Sequence, residues 1–435
     1  MAEETTTEKK VATRKIKGDP VIWGVFIMLC IISIIEVFSA SSNLTYKTSN
    51  YWGPICKHVF LLGWGVLFML ATMNLKCKYF KLVMPLALLI SFVLLIICFF
   101  VGAVNDGHRW IPIPVIGMKF QPSEMAKGAV VLAVATILSA MQTETGVDKR
   151  AFKFIIIVSG GFIVLIGLEN LSTAALLGAV VLMMMWIGRI PKRQLGKLMG
   201  SLAIFAVGGL IIVMAFGHDK EKEAEEDPRM AMVNKNKVKA TDKEDSKEPK
   251  LFHRLDTWKS RIDKFLDGKD VPPEKFDLNN DAQEGYSQIA IASSNMMGKG
   301  PGNSTMRDYL PQAFSDFIYS IIIEEMGLIG AVGVCLLYII LLFRTMTIAS
   351  RCANTFPALL IIGIALLLVT QALFNMGVAV GWLPVTGQPL PLISKGGTSS
   401  IMNCVYIGMI LSVSRSAKKK KNETAHIPTA TPIAA

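Results

Sequence analysis

The side chains that could do chemistry in this sequence are the ionisable ones set within or beside long apolar runs. A charge at membrane depth is costly unless it is paired or put to use. Such residues are few: Glu36, the pair Glu124 and Lys127, Glu169, Asp316, Glu324 and Glu325, with the neutral amides Gln371, Asn375 and Asn403 as weaker members. Glu124 and Lys127 are three residues apart at the start of an apolar run, so on a helix they share a face and can neutralise each other. A structural ion pair and a functional one both fit that spacing.

Ahead of this pair runs "GHRWIPIPVIGMKFQPSE", where Trp110 suits a membrane interface, the prolines stiffen the backbone, and Arg109 and Lys119 supply positive charge. A cationic, semi-rigid lip suits the pyrophosphate of a lipid-linked substrate, since Arg offers a fixed fork of donors and Lys a compact charge. Ordinary snorkelling of the two cations is the other reading. Asp316 sits where "RDYLPQAFSD" enters the apolar run "FIYSIIIEEMGLIGAVG". A carboxylate at that edge could take a proton from a sugar hydroxyl, or it could cap the helix that follows. Glu324 and Glu325 lie more than two turns further in and are expected to pair inside the bundle, not to form a dyad with Asp316. The segment "NMGVAVGWLPVTGQPLPLISKGGTSSIMN" is dense in Gly, Pro and Ser. Non-helical backbone near membrane depth survives only when buried or lining a polar cavity, so this segment is expected to wall the site. Lys395 and the following Gly396 and Gly397 could offer a cation and free N–H groups to phosphate oxygens, or they could simply end one helix and begin the next.

These residues need elements to hold them, and the composition says which. Of 435 residues 52% are hydrophobic, and they fall in runs long enough to cross roughly 30 Å of hydrocarbon. About ten such runs are expected, near 21–40, 55–73, 82–103, 125–141, 154–168, 171–188, 196–216, 317–343, 356–380 and 399–414. The fold class is therefore an all-α polytopic membrane protein with one large loop between spans 7 and 8. The net charge of +12 does not form one stripe, so no nucleic-acid partner is expected. Its basic patches alternate between loops instead, which by the positive-inside rule puts both termini in the cytoplasm and the large loop outside. The chain divides into a basic tail 1–19, seven spans over 20–217, an outer loop 218–315, three spans over 316–415 and a basic tail 416–435. Within the loop, 218–250 is a charged insert too poor in apolar residues to fold alone. From Leu251 the pattern becomes amphipathic, and 251–315 forms the second part of the loop. The seven cysteines carry no C-x-x-C and indicate neither a disulfide framework nor a zinc site. There is no Walker sequence, and no nucleotide or organic cofactor is expected.

Four blocks together resemble the SEDS family (shape, elongation, division and sporulation) of bacterial peptidoglycan polymerases: "RWIPIPVIGMKFQPSEMAK", "GKGPGNSTMRDYLPQAFSDFIYSIIIEEMGLIGA", "NMGVAVGWLPVTGQPLPLISKGGTSS" and the weaker "ENLSTA". The wording around "GKGPGNS" and "YLPQAFSDFIY" is closer to the division branch than to the elongation branch. The resemblance implies a multi-pass enzyme of the bacterial cytoplasmic membrane, acting at the division septum. It would join lipid II units into a glycan held on undecaprenyl pyrophosphate outside the membrane, by an inverting transfer. It implies 251–315 as the catalytic part of the loop, Asp316 as the essential aspartate and Asp308 as an acidic position upstream. Arg109 matches the basic residue before "WI", and Gln121, Ser123, Glu124 and Lys127 match the "QPSE-x-x-K" motif. With Ser394, Lys395, Gly396 and Gly397 these form the expected substrate-binding set. A divalent ion, Mg2+ or Mn2+, is allowed for at Asp316. The implied partners are a class B penicillin-binding protein, an FtsI-like transpeptidase, and other divisome proteins. A lipid II flippase and a non-catalytic scaffold are the rival readings.

The chain departs from the family pattern in places: Asn170 and Ser172 stand in "ENLSTA" where "PDLGTA" is common. Phe314 and Ser315 replace the His and Thr of "HTDF", Lys395 replaces the Tyr of "ISYGG", and Ala292–Asn295 replace "GSGG".

Overall fold

The computed structural model describes residues 18–40, 53–100, 110–113, 118–144, 146–216, 282–310 and 313–424. The 218–250 insert, the amphipathic pattern from Leu251 and most of both tails lie outside the described residues. Eleven α-helices are seen among those described: α1 (Pro20–Ala40), α2 (Gly53–Asn74), α3 (Cys77–Phe100), α4 (Pro122–Ala140), α5 (Lys149–Glu169), α6 (Leu171–Ile187), α7 (Lys192–Phe216), the short α8 (Ala282–Ala292), α9 (Ile318–Ala349), α10 (Thr355–Ala379) and α11 (Thr398–Thr424). Apart from α8, each coincides with one of the ten apolar runs. Seven of them, α1 to α5, α9 and α10, are long and apolar enough to cross a membrane, counting described residues only. Helix α6 is the shorter apolar one, while α7 starts with Lys192 and Arg193 and α11 ends in a lysine run.

Burial sorts the helices into centre and rim. In α4 and α10, 72% of the apolar window is buried inside the protein, against 17% in α3. Leu82 and Leu89 of α3 face outward, where hydrocarbon replaces water and an apolar surface costs nothing. The centre holds together through small residues that let helices close up. A side chain at Gly128 of α4 would start 2.5 Å from the Tyr406 ring of α11. Because no Cβ intervenes, the Tyr406 hydroxyl reaches the Glu124 carbonyl at 2.5 Å. Gly65 of α2 gives way to Cys404 of α11 in the same manner.

The fifth and sixth runs, which nearly abut in sequence, are separated by one residue. Asn170 ends α5 and caps α6, its side chain accepting from the Thr173 N–H at 3.2 Å. Helix α9 is two rods in one span, because Gly327 is left-handed there (φ 69°, ψ −171°) and breaks the ladder. At one end of the bundle Asp19, just ahead of α1, receives two hydrogen bonds from Arg344 of α9 (3.0 and 2.8 Å) and donates its N–H to Ser414 of α11 at 3.0 Å. At the other end a β-hairpin feeds α4, with β1 (Ile111–Ile113) antiparallel to β2 (Met118–Phe120) and Pro112 opposite Lys119. The lip expected from the prolines falls on this hairpin, whose residues 114–117 lie outside the described residues. A second, smaller hairpin, β3 (Gln142–Thr143) with β4 (Gly146–Val147), joins α4 to α5.

Candidate active site

Asp316 lies at the hairpin end of the bundle, in the turn 313–317 that leads into α9, and is half-buried. Helix α9 begins at Ile318, with Phe317 in the capping position and making no side-chain cap bond. The Asp316 Oδ1 accepts from the Ser315 hydroxyl at 2.9 Å. The backbone of the turn is fixed from two sides. Asn375 of α10 donates to the Asp316 carbonyl at 2.8 Å, and the Ser394 hydroxyl donates to the Ser315 carbonyl at 2.6 Å. Phe314 and Phe317 seat the turn on a small core formed with Leu310, Ala313, Ile321 and Val378.

The irregular segment 381–397 walls the site, as its composition suggests, and a ladder of amides pays out its backbone bonds. Asn375 also donates to the Gln388 carbonyl at 2.7 Å, and Gln371 donates to the Pro389 carbonyl at 3.0 Å. The Gln388 side chain donates to Thr173 of α6 at 2.6 Å, and Thr173 is held by Asn170. The "ENLSTA" departure at Asn170 thus keeps a capping function that supports this wall. Glu124 and Lys127 form a fully buried ion pair at 2.8 Å, and Lys127 also donates to Gln371 at 2.7 Å. The geometry favours the ion-pair reading here: Lys127 reaches the site through Gln371 and the wall.

Lys395 is placed differently. Its N–H donates to the Phe314 carbonyl at 2.9 Å, and its ammonium lies 5.0 Å from the Phe314 ring centroid. Phe314 is two residues along the chain from Asp316, so the cation is tethered to the same turn. Burial, and then the charge of Lys57 on the first turn of α2, hold the Lys395 ammonium below the ordinary lysine range. The backbone beside it is pinned from below. Ser33 of α1 donates to the Ile393 carbonyl at 2.7 Å and meets His58 Nε2 of α2 at 2.9 Å. The departures that put Phe at 314 and Lys at 395 therefore form one contact between them.

The remaining expected residues are placed as follows. Gln121 precedes α4, and its N–H donates to Thr398, whose hydroxyl donates on to the Lys119 carbonyl, both at 3.3 Å. Ser123 is buried in the first turn of α4. Gly396 has Ser399 packed into the place of a Cβ, and Gly397 is left-handed (φ 57°), so both are demanded by the backbone where the wall turns into α11. Asp308 is exposed at the end of a short 3-10 turn, 4.0 Å from Arg307. Arg109 lies outside the described residues. Glu324 and Glu325 are buried in the bundle and paired there, as expected, and neither bonds Asp316. They hold a loop, with Lys299 at 2.6 Å from Glu324 and Arg307 at 3.9 Å from Glu325. Glu36 is buried beside them, with no hydrogen-bond partner among the described residues. Sequence reasoning missed Thr173, Ser33, His58 and Lys57, since each lies alone in its own segment and gains meaning only from what it meets. Among the described residues no group of three or more His, Cys, Asp or Glu could hold a metal ion.

The model of the cell cycle protein family that groups FtsW, RodA and SpoVE matches residues 19–227 and 249–419. The chain belongs to this family, the SEDS proteins. Among its SEDS relatives, the probable peptidoglycan glycosyltransferase FtsW of Enterococcus hirae is 28% identical over 419 residues, which is 94% of each chain. The peptidoglycan glycosyltransferase MrdB of Escherichia coli is 26% identical, covering 93% of this chain and 95% of the relative. Stage V sporulation protein E of Bacillus subtilis is 26% identical, covering 94% and 100%. The leaning toward the division branch agrees with the FtsW names among these relatives. The SEDS fold is shared with a chain of a solved peptidoglycan synthase complex (TM-score 0.63, 22% identity, 92% and 98% covered). It is also shared with the rod shape determining protein RodA of Thermus thermophilus (TM-score 0.58, 20% identity, 92% and 98% covered).

Proposed function

We propose that this chain is a peptidoglycan glycosyltransferase that polymerises lipid II, with Asp316 as its base. The observation that carries the catalytic assignment is a half-buried carboxylate on a turn fixed by Asn375 and Ser394, with Lys395 tethered to the same turn from the wall. Breaking a glycosidic bond to an alkoxide leaving group calls for an acid as well as a base. Here the leaving group is a pyrophosphate, already stable as an anion, so cations can replace the acid. Asp316 takes the proton of the acceptor sugar's hydroxyl as that oxygen bonds to the anomeric carbon of the donor. The bond from the anomeric carbon to the pyrophosphate oxygen breaks on the opposite face, its electron pair leaving with undecaprenyl pyrophosphate, and the α-linked donor becomes a β-linked product. Lys395 and Arg109 oppose the charge that collects on the leaving group.

Asp316 is the residue that would hold Mg2+ or Mn2+. A single carboxylate leaves most of the coordination shell of such an ion to water and phosphate oxygens, and no step above is routed through it. The site end of the bundle faces outward and both termini are cytoplasmic, which the alternation of basic loops supports. A class B penicillin-binding transpeptidase of the FtsI type is the proposed partner, and the division septum the proposed location. The names of the FtsW relatives support the location, and the synthase complex that shares the fold suits such a pairing. The test is polymerisation of labelled lipid II in detergent by the full chain with its cognate transpeptidase, with Mg2+, Mn2+ or a chelator. Glycan ladders are expected; lipid II movement between leaflets without ladders would replace this reading with a flippase.

A further inference from the structure

Glu324 and Glu325 are wholly buried, yet no step of the transfer uses them. They sit just before the break at Gly327, where the helical carbonyls of Glu324 and Glu325 lose their usual partners four residues on. The loop 296–307 takes over those bonds. The N–H groups of Lys299 and Gly300 donate to the Glu324 and Glu325 carbonyls at 2.9 and 2.8 Å, and the Ile329 N–H turns to the Met296 carbonyl at 3.4 Å. Loop and helix touch backbone to backbone. A Cβ at Gly298 would lie 2.3 Å from the Glu325 carbonyl oxygen, and one at Gly327 would lie 2.3 Å from that of Met296.

The two side chains complete the seam. Glu324 accepts from Lys299 at 2.6 Å, from the Thr305 N–H at 3.0 Å and hydroxyl at 2.8 Å, from the Ser304 hydroxyl at 2.5 Å and from the Met306 N–H at 3.3 Å. Glu325 accepts from the Gly302 N–H at 2.8 Å, the Ser304 N–H at 3.2 Å and the Ser39 hydroxyl of α1, while Arg307 bonds Ser39 at 2.9 Å. Both oxygens of both carboxylates are engaged by donors. A buried network satisfied in this way is rigid.

From Thr305 the chain runs through Asp308 and Asp316, enters α9 and returns to Glu324, which bonds Thr305 and Met306. The segment that carries the proposed base is thus a closed loop, and Glu324 seals its base. We propose that Glu324 and Glu325 are positioning residues for the transfer: by closing that loop against α1 and the broken helix they fix Asp316 relative to Lys395, without touching the substrate. This rests on the polymerase reading above and adds to it residues that act through the backbone.

The test uses the full chain with its cognate transpeptidase and compares Glu324→Gln, Glu324→Asp, Glu325→Gln and Ser304→Ala. Because every Glu oxygen accepts, Gln must aim an N–H at a donor, whereas Asp keeps two acceptors. Since a misplacement of about 1 Å can cost on the order of 100-fold, we expect each Gln variant to lose at least about ten-fold in kcat. KM should hold within about three-fold, and amide exchange should rise across 299–310 and 313–317. Glu324→Asp should recover part of the rate, and Ser304→Ala, which removes one hydroxyl donor, should move in the same direction by less even if a Gln variant fails to fold. Faster exchange in the loop with unchanged kcat would overturn the proposal, as would a change confined to KM. A wild-type protein that makes no glycan would overturn the polymerase reading itself, and that result is visible before any variant is assayed.

Discussion

The catalytic proposal turns on two side chains, Asp316 on the turn 313–317 and Lys395 tethered to it through Phe314. Replacing Lys395 by Ala should raise KM for lipid II and lower kcat/KM by roughly ten- to a hundred-fold, the range of one lost charge-assisted contact, as read from initial rates across substrate concentration. The pH behaviour of Lys395 follows from its surroundings. Burial and Lys57 hold its ammonium below the ordinary lysine value, so it loses its charge at a lower pH than a free lysine would. Activity should therefore fall on the alkaline side as pH rises through that lowered value. In Lys395→Arg, whose charge does not titrate in this range, the alkaline fall should move to higher pH. An unmoved limb would detach Lys395 from the leaving group.

Among the elements, the wall 381–397 depends on side chains one helix away. Removing Glu124 while leaving Lys127 buried should cost about 3–5 kcal/mol, seen as a large drop in the detergent melting temperature, whereas Gln371→Ala should loosen the wall with a smaller loss. How far this could be read from sequence differs by element. The ten helices were legible because apolar runs of membrane length allow one structure for the backbone. Gln371 and Asn375 stood out as amides in an apolar run, although their targets, the carbonyls of Pro389, Gln388 and Asp316, did not. The pairing of Lys395 with Phe314 joins positions 81 apart in sequence and leaves no local periodicity to find. Glu324 and Glu325 were expected to pair inside the bundle and do, although the loop that they hold was not legible. Helical geometry placed them in the bundle, and the left-handed Gly327, which no local pattern announces, breaks the helix behind them and opens a docking place for the loop.

Over the whole molecule, the end opposite the site is tied by Asp19, Arg344 and Ser414, which join α1, α9 and α11. Burial alone would push the Asp19 carboxyl up; hydrogen bonds from Arg344 and the Val21 N–H outweigh it and hold its pKa below the ordinary 3.8. A carboxylate with a depressed folded pKa gives stability that is complete above its unfolded pKa and is lost as pH falls through the folded one. Asp19→Asn should therefore lower stability at neutral pH by roughly 1.5–3 kcal/mol, the range for hydrogen bonds to a charged group. The gap from wild type should close in acid below the ordinary value, in melts run across pH. A gap independent of pH would mean that packing, and not charge, holds that end. At the site end, the measurement that bears most directly on the account is lipid II polymerisation by wild type and Asp316→Asn, each folded and each bound to its transpeptidase. Long glycan ladders are expected from wild type and a loss of at least about a hundred-fold in the variant, since a positioned base contributes on the order of 100- to 10,000-fold. Ladders of wild-type rate from Asp316→Asn would contradict the assignment of Asp316 as the base.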